Sequence, residues 1–293
     1  MIYVNKKQKN ICFLPLLKYY SLKKMKKNIT FSLNQMIMPN SSFDDFISFA
    51  KKMNIKKIEI RNDIKTNLFK ENEPLKLKNF CEEHSIEILT INALQKFNIW
   101  NDERQKEFIE LCNYTHRAGI WAIVLCPLND GSVIFEEEQK KLLENSLINI
   151  ANILNDYDLI CLIEPLGFKQ SSLRNKSMAL DVISNIKTNK LKILHDTFHH
   201  AISDENNFYI NHTGLVHFSG VSDKYSNIEL TDDHRSTIEK NDILKNIDQI
   251  QKFIDSNYQG CFSFEPFSSS LINKNNLFEI TKKTFDFILS NLK

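Results

Sequence analysis

From residue 28 onward the chain alternates short apolar runs with longer stretches in which apolar residues recur every three or four positions. The apolar runs predict strands over 28–36, 57–61, 86–92, 122–126, 159–164, 192–196, 215–219 and 261–265. They are nearly continuous in hydrophobicity, as parallel strands buried on both faces are. The intervening stretches predict helices. Ser42 precedes two acids and, a few residues on, two lysines, the arrangement a helix dipole favours. Pro74 after Glu73 opens a second helix at its first turn. Further helices are predicted over 102–117, 136–154, 176–186, 242–256 and 278–292, and the segment after Asp196 is the shortest and least clearly helical.

Eight strand–helix units in a chain of this length predict an α/β fold of the (β/α)8 TIM-barrel kind, whose typical size is about 250 residues. A doubly wound open sheet is the alternative. Without a Pro/Gly/Ser-rich linker, residues 25–293 read as a single catalytic domain. Residues 1–24 carry six lysines and no acid, with a short apolar piece but no signal-peptidase-like site. They are expected to be a disordered extension outside the core, with a targeting segment as the alternative.

Lys+Arg 38 against Asp+Glu 36 gives +2, but the extension's lysines conceal a body with 32 basic and 36 acidic residues. Such a body does not offer a nucleic-acid-binding face. None of the six glycines forms a GxGxxG or a P-loop, which removes the dinucleotide and nucleoside-triphosphate classes. The six cysteines are scattered without a CxxC pair and read as reduced thiols. No apolar run reaches the 18 or so residues of a membrane span. A cytoplasmic location without membrane attachment is the expectation; a homo-oligomer is compatible with the chain.

In a TIM barrel the strand exits face the active site, so polar residues that end apolar strands carry the chemistry. Strands five and eight both end in Glu-Pro, at Glu164 and Glu265, and proline keeps the preceding residue extended while ending the ladder. Strand six ends at Asp196, and strand seven carries His217. Three carboxylates and one imidazole at four successive exits suit one divalent ion such as Mn²⁺, Zn²⁺, Mg²⁺ or Co²⁺. Arg61 and Asn62 end strand two and Gln95 follows strand three, where they are candidates for substrate hydroxyls. Trp100, Phe97 and Phe198 are candidates for an apolar wall, and Asp223 for orienting His217 or the substrate. His195 and His200 are expected to act behind the site or in the core.

Across residues 28–290 the chain resembles the xylose-isomerase-like TIM-barrel sugar isomerases and epimerases, and within them the inosose isomerase-like proteins of inositol catabolism. The resemblance rests on LNQM (33–36), IEIRND (58–63), INALQKFN (91–98), EPLGF (164–168) with SLR (172–174), HDTFHH (195–200), HFSGVSD (217–223), DDHR (232–235) and FSFEPFS (262–268). It implies Glu164, Asp196, His217 and Glu265 as metal ligands, the four that the strand exits select. It implies His199 and Arg235 as substrate contacts. The family's Gly-x-Gly after that arginine is replaced here by residues 238–242, IEKND.

The expected activity is isomerisation or epimerisation of a sugar or cyclitol ketone, an inosose first. Glu164 and Glu265 would move the proton through a metal-stabilised enediolate. A dehydratase or other lyase on the same barrel is the alternative. A DNA-repair endonuclease of similar architecture needs a multi-metal site and a basic face, and a non-catalytic sugar-binding barrel has no use for paired glutamates.

Overall fold

The computed structural model describes residues 29–65 and 73–293. The 1–24 extension lies outside the described residues. Eight parallel strands close into one barrel in chain order, the expected (β/α)8 architecture. The strands are β1 Thr30–Asn34, β2 Lys57–Arg61, β3 Glu87–Gln95, β4 Ala122–Cys126, β5 Ile160–Ile163, β6 Leu191–Asp196, β7 Thr213–Phe218 and β8 Cys261–Phe264. Each lies within a few residues of its expected position, and β3 runs on to include Gln95. The helices are α1 Phe43–Lys52, α2 Pro74–Glu83, α3 Asp102–Ala118, α4 Glu136–Leu154, α5 Lys176–Ile183, α6 Thr197–Ile202, α7 Asn246–Asp255, α8 Ser269–Ile272 and α9 Leu277–Asn291.

The local signals act as their chemistry requires. Ser42 caps α1 by accepting the Asp45 N–H at 3.2 Å, and Pro74 is the first residue of α2. The helix expected over 242–256 starts only at Asn246, because the Asp242 carboxylate is spent on the N–H groups of Val221 and Asn246. After β6 the helix is one and a half turns, the short element the sequence suggested.

Alternation along each strand divides the interior into two storeys. The lower one is apolar, built by Leu89, Ala122, Val124, Leu162, Leu194, Leu215 and Cys261. Two residues further along the same strand faces come Glu164 after Leu162, Asp196 after Leu194, and His217 after Leu215. Period two therefore carries the apolar interior face upward into a polar one. The residues between them, such as Ile123, Ile163, Ile193, Val216 and Phe218, pack outward into the larger core shared with the helices. The five cysteines among the described residues are unpaired. No described helix is long and apolar enough to cross a membrane.

Candidate metal centre at the barrel mouth

Register positions the four exit residues. Asp196 lies opposite His217, and His217 opposite Ser263. The Glu164 amide still bonds the Leu125 carbonyl at 3.1 Å and the Glu265 amide the Phe218 carbonyl at 3.0 Å, so both glutamates leave the barrel wall only after their own residue, where proline ends the pairing. Each of Glu164, Asp196, His217 and Glu265 offers one ligand atom, all four atoms lie within 4.8 Å of one another, and all four residues are buried. A hard-to-borderline set of three oxygens and one imidazole nitrogen fits a single divalent cation.

His217 is the hub. Its Nδ1 is 3.0 Å from Glu265 Oε2 and 3.2 Å from Glu164 Oε1. Its Nε2 points the other way, 3.0 Å from the Glu59 carboxylate. Burial works against the imidazolium, but Glu265, Glu59 and Glu164 outweigh it and hold His217 well above its ordinary pKa. The reciprocal effect acts on Glu265: burial would raise its pKa, yet His217, Arg235 and Arg61 keep it well below the usual carboxylate range. Glu59 is likewise lowered, burial being overcome by His217.

Two buried arginines frame the four candidate ligands. Arg235 Nη2 donates to Asp196 Oδ2 at 2.5 Å and to Glu265 Oε2 at 2.8 Å, while its Nε reaches Ser219. Arg61 Nη1 donates to Glu265 Oε1 at 2.7 Å, and the rest of its fork holds Asp63 through two 2.7 Å bonds. The other Asp196 oxygen caps α6, accepting the N–H groups of Phe198 and His199. Two glycines allow the loops to close on this frame. A Cβ on Gly167 would stand 2.2 Å from the His199 carbonyl oxygen, and one on Gly220 would stand 2.0 Å from that of Thr237. Gly220 pairs with Ser236, which sets Arg235 beside Asp196 and Glu265.

Above the cluster opens a cleft of about 320 Å³ whose wall includes Glu164, Glu265, His199, Arg235, Arg61 and Gln95. A larger groove of about 850 Å³ runs outside the barrel between α6 and α7 and contains none of the four clustered residues. His199 is 4% exposed, and its Nδ1 has no hydrogen-bond partner among the described residues. Gln95 donates to Asp63 at 3.3 Å.

Several expected contacts are placed elsewhere. Asn62 does not line the cleft; its amide accepts the Ala93 N–H at 2.7 Å and donates to the Ala93 carbonyl at 3.2 Å, tying β2 to β3. Phe97 and Phe198 are fully buried, and Trp100 packs edge-on against Phe108. The aromatic wall is instead Phe168 and Phe267. Asp223 is exposed and accepts from Asn241 at 2.8 Å, a loop contact away from His217. Alternation turns His195 outward, where its Nδ1 lies 3.2 Å from Lys176 Nζ and His200 Nδ1 lies 2.8 Å from the same atom.

Besides Phe168 and Phe267, Glu59 and Cys126 at the site were not singled out from the sequence. Glu59 is a charge inside the apolar run Ile58-Glu59-Ile60, a visible signal. Cys126 ends β4 and approaches Glu164 Oε2 at 3.5 Å; an apolar run ending in cysteine carries no comparable mark.

The comparisons with known proteins agree with this architecture. A family profile described as Xylose isomerase-like TIM barrel matches residues 47–290. A crystal structure of a xylose isomerase domain-containing protein from Salmonella typhimurium LT2 is 31% identical, covers 89% of this chain and 99% of its own, and superposes with a TM-score of 0.80. The IOLI protein with a bound zinc atom is 20% identical over 90% of this chain and 99% of its own, TM-score 0.78. D-psicose 3-epimerase from Clostridium cellulolyticum H10, solved with D-tagatose, is 14% identical over 90% and 100%, TM-score 0.70. No curated protein matches the chain significantly. With the profile spanning most of the barrel and a 31% identical relative covered nearly end to end, the chain belongs to the xylose isomerase-like TIM-barrel family.

Proposed function

We propose that this protein is a divalent-metal-dependent isomerase or epimerase of an unphosphorylated sugar or cyclitol ketone, an inosose first. One observation carries the reading: four ligand atoms from four consecutive strands converge to within 4.8 Å, at the base of a cleft of monosaccharide size. Glu164, Asp196, His217 and Glu265 would hold the ion, with Zn²⁺ or Mn²⁺ the best match to the mixed oxygen and nitrogen set. The zinc in the IOLI protein and the ketose in D-psicose 3-epimerase support the same reading. When bound, the ion supplies Lewis-acid polarisation of a substrate carbonyl, worth several kcal/mol.

The chain's own residues do the rest. Glu164 and Glu265 take the proton from the carbon beside the carbonyl and return it to an adjacent position, their roles exchanging with reaction direction. Arg61 and Arg235 hold Glu265 in place by both carboxylate oxygens. His199, whose Nδ1 is buried without a partner among the described residues, and Gln95 donate hydrogen bonds to substrate oxygens and fix its orientation. Phe168 and Phe267 offer apolar faces to the C–H side of the ring. Arg61 and Arg235 are committed to carboxylates, and the cleft lysine, Lys96, shares the wall with Asp63, Asp130 and Asp232, a balance that favours a neutral substrate over a sugar phosphate.

The test is a panel of inososes and ketoses with added Mn²⁺ or Zn²⁺, followed by NMR in D₂O. Isomer formation with deuterium incorporated at the substrate α-carbon is the expected result. Loss of water from the substrate would assign a dehydratase instead, and an inert panel would overturn the isomerase reading.

A further inference from the structure

The metal reading uses one face of His217; the other face is held by a residue with no part in ligation. We propose that Glu59 is a positioning residue for the metal centre, fixing His217 so that Nδ1 is presented to the ion and the hydrogen stays on Nε2. This rests on the proposed function, since it presumes that His217 is a ligand.

Glu59 is fully buried on β2, inside the barrel. An isolated carboxylate there would be costly, so its bonding reveals what it is built for. Thr90 donates to Oε2 at 2.6 Å and Asn92 to the same oxygen at 3.0 Å. Ser263 donates a short bond to Oε1, and Asn34 a longer one at 3.4 Å. Four donors from β1, β3 and β8 thus pin both oxygens before His217 is counted. The carboxylate cannot turn away, and the His217 Nε2 meets it at 3.0 Å. A ring that donates through Nε2 has its Nδ1 lone pair free, and that nitrogen faces Glu164 and Glu265. A carboxylate behind a ligating imidazole also raises the ligand's basicity. Asn34 joins the two layers, because the same amide nitrogen that reaches Glu59 donates to Glu265 Oε1 at 3.1 Å.

The experiment is zinc titration of the metal-free full-length protein and of Glu59→Gln, which keeps the side chain's volume and removes its charge. The expected result is an affinity about 10- to 100-fold weaker, together with a changed visible absorption spectrum when Co²⁺ is bound in place of zinc. Metal-free melting curves are run beside them. An unchanged zinc affinity and cobalt spectrum in a folded Glu59→Gln protein overturns the proposal, whatever the melting point does. Should the variant fail to fold, ¹⁵N–¹H NMR of the zinc-loaded wild type decides: a hydrogen on His217 Nε2 supports the assignment, and one on Nδ1 overturns it. A wild type that takes up no zinc sinks the metal reading itself and Glu59's role with it, whereas a wild type that binds beside an equally tight variant sinks Glu59 alone.

Discussion

Arg61 and Glu265, 204 positions apart, meet in a 2.7 Å ion pair inside the barrel mouth, with both side chains almost wholly shielded from water. Arg235 holds the second Glu265 oxygen at 2.8 Å, so the carboxylate is gripped from two sides while its Oε2 still faces His217. Buried pairs of this kind add little net stability, but removing one partner strands the other.

Arg61→Met is therefore expected to destabilise the protein by about 3–5 kcal/mol, because Asp63 and Glu265 lose their shared counter-charge. Arg61→Lys restores the charge but not the planar fork that grips Asp63, and is expected to recover only part of the loss. Urea unfolding of the three proteins checks this. Superimposable curves for wild type and Arg61→Met would show that the pair is dispensable.

Glu164→Gln and Glu265→Gln are each expected to lower turnover by about 10²–10⁴-fold, the usual contribution of a positioned proton-transfer group. Their stabilities should differ. Glu265 balances Arg61 and Arg235, whereas Glu164 touches His217 and the Cys126 thiol. Glu265→Gln should melt well below Glu164→Gln. Either variant turning over at the wild-type rate removes that residue from the chemistry.

The contrast between strand exits and strand interiors explains what could be read beforehand. Glu164 and Glu265 stand out in the sequence because a charge followed by proline at the end of an apolar run has few other uses, and the closed barrel then brings all four exits together without further information. Asn62 is equivalent to Arg61 by position in the sequence, but alternation turns neighbouring residues to opposite faces, and Asn62 bonds the β3 backbone instead. The aromatic wall departs from its expected position for a related reason. Phe97 follows β3 and folds back into the core, while Phe168 and Phe267 sit on loops after β5 and β8, where no periodicity sets direction. The hydrogen bonds that converge on Glu59 come from β1, β3, β7 and β8, and contacts among four separate strands have no signature in any one of them.

The outward-facing histidines should make the fold acid-sensitive. Burial, with Lys176 and Lys252 nearby, pushes His200 down to about 3, and burial and Lys176 hold His195 well below its ordinary value. A folded-state pKa below the unfolded one means that stability is full above about pH 6.5 and is lost as pH falls toward the folded value. Each imidazole contributes at most about 1.4 kcal/mol per pH unit in that window. Unfolding free energy should drop between pH 7 and pH 5, and His200→Asn should flatten the slope without abolishing it, since His195 still titrates. An identical slope in the variant would show that His200 is not responsible.

Metal binding should show the opposite pH dependence. In the metal-free protein His217 is held well above its ordinary pKa by the surrounding carboxylates, so the stability that its charge confers is full below about pH 6.5 and is lost as pH rises through the folded value. An ion on Nδ1 must displace a hydrogen from that nitrogen, and affinity therefore climbs with pH, by up to about tenfold per unit while His217 is charged. At a free concentration near 100 times Kd, binding adds about 2.7 kcal/mol, which for a chain of this size is a rise in Tm of roughly 4–5 °C. Melting with Mn²⁺ and with a chelator at pH 6 and pH 8 measures both effects. The metal-induced rise should be larger at pH 8, because between the two pH values the metal-free protein gives up part of the imidazolium's contribution while the ion binds more tightly. A rise that shrinks with pH would mean that the ion binds without displacing a proton, and His217 would then not be among its ligands.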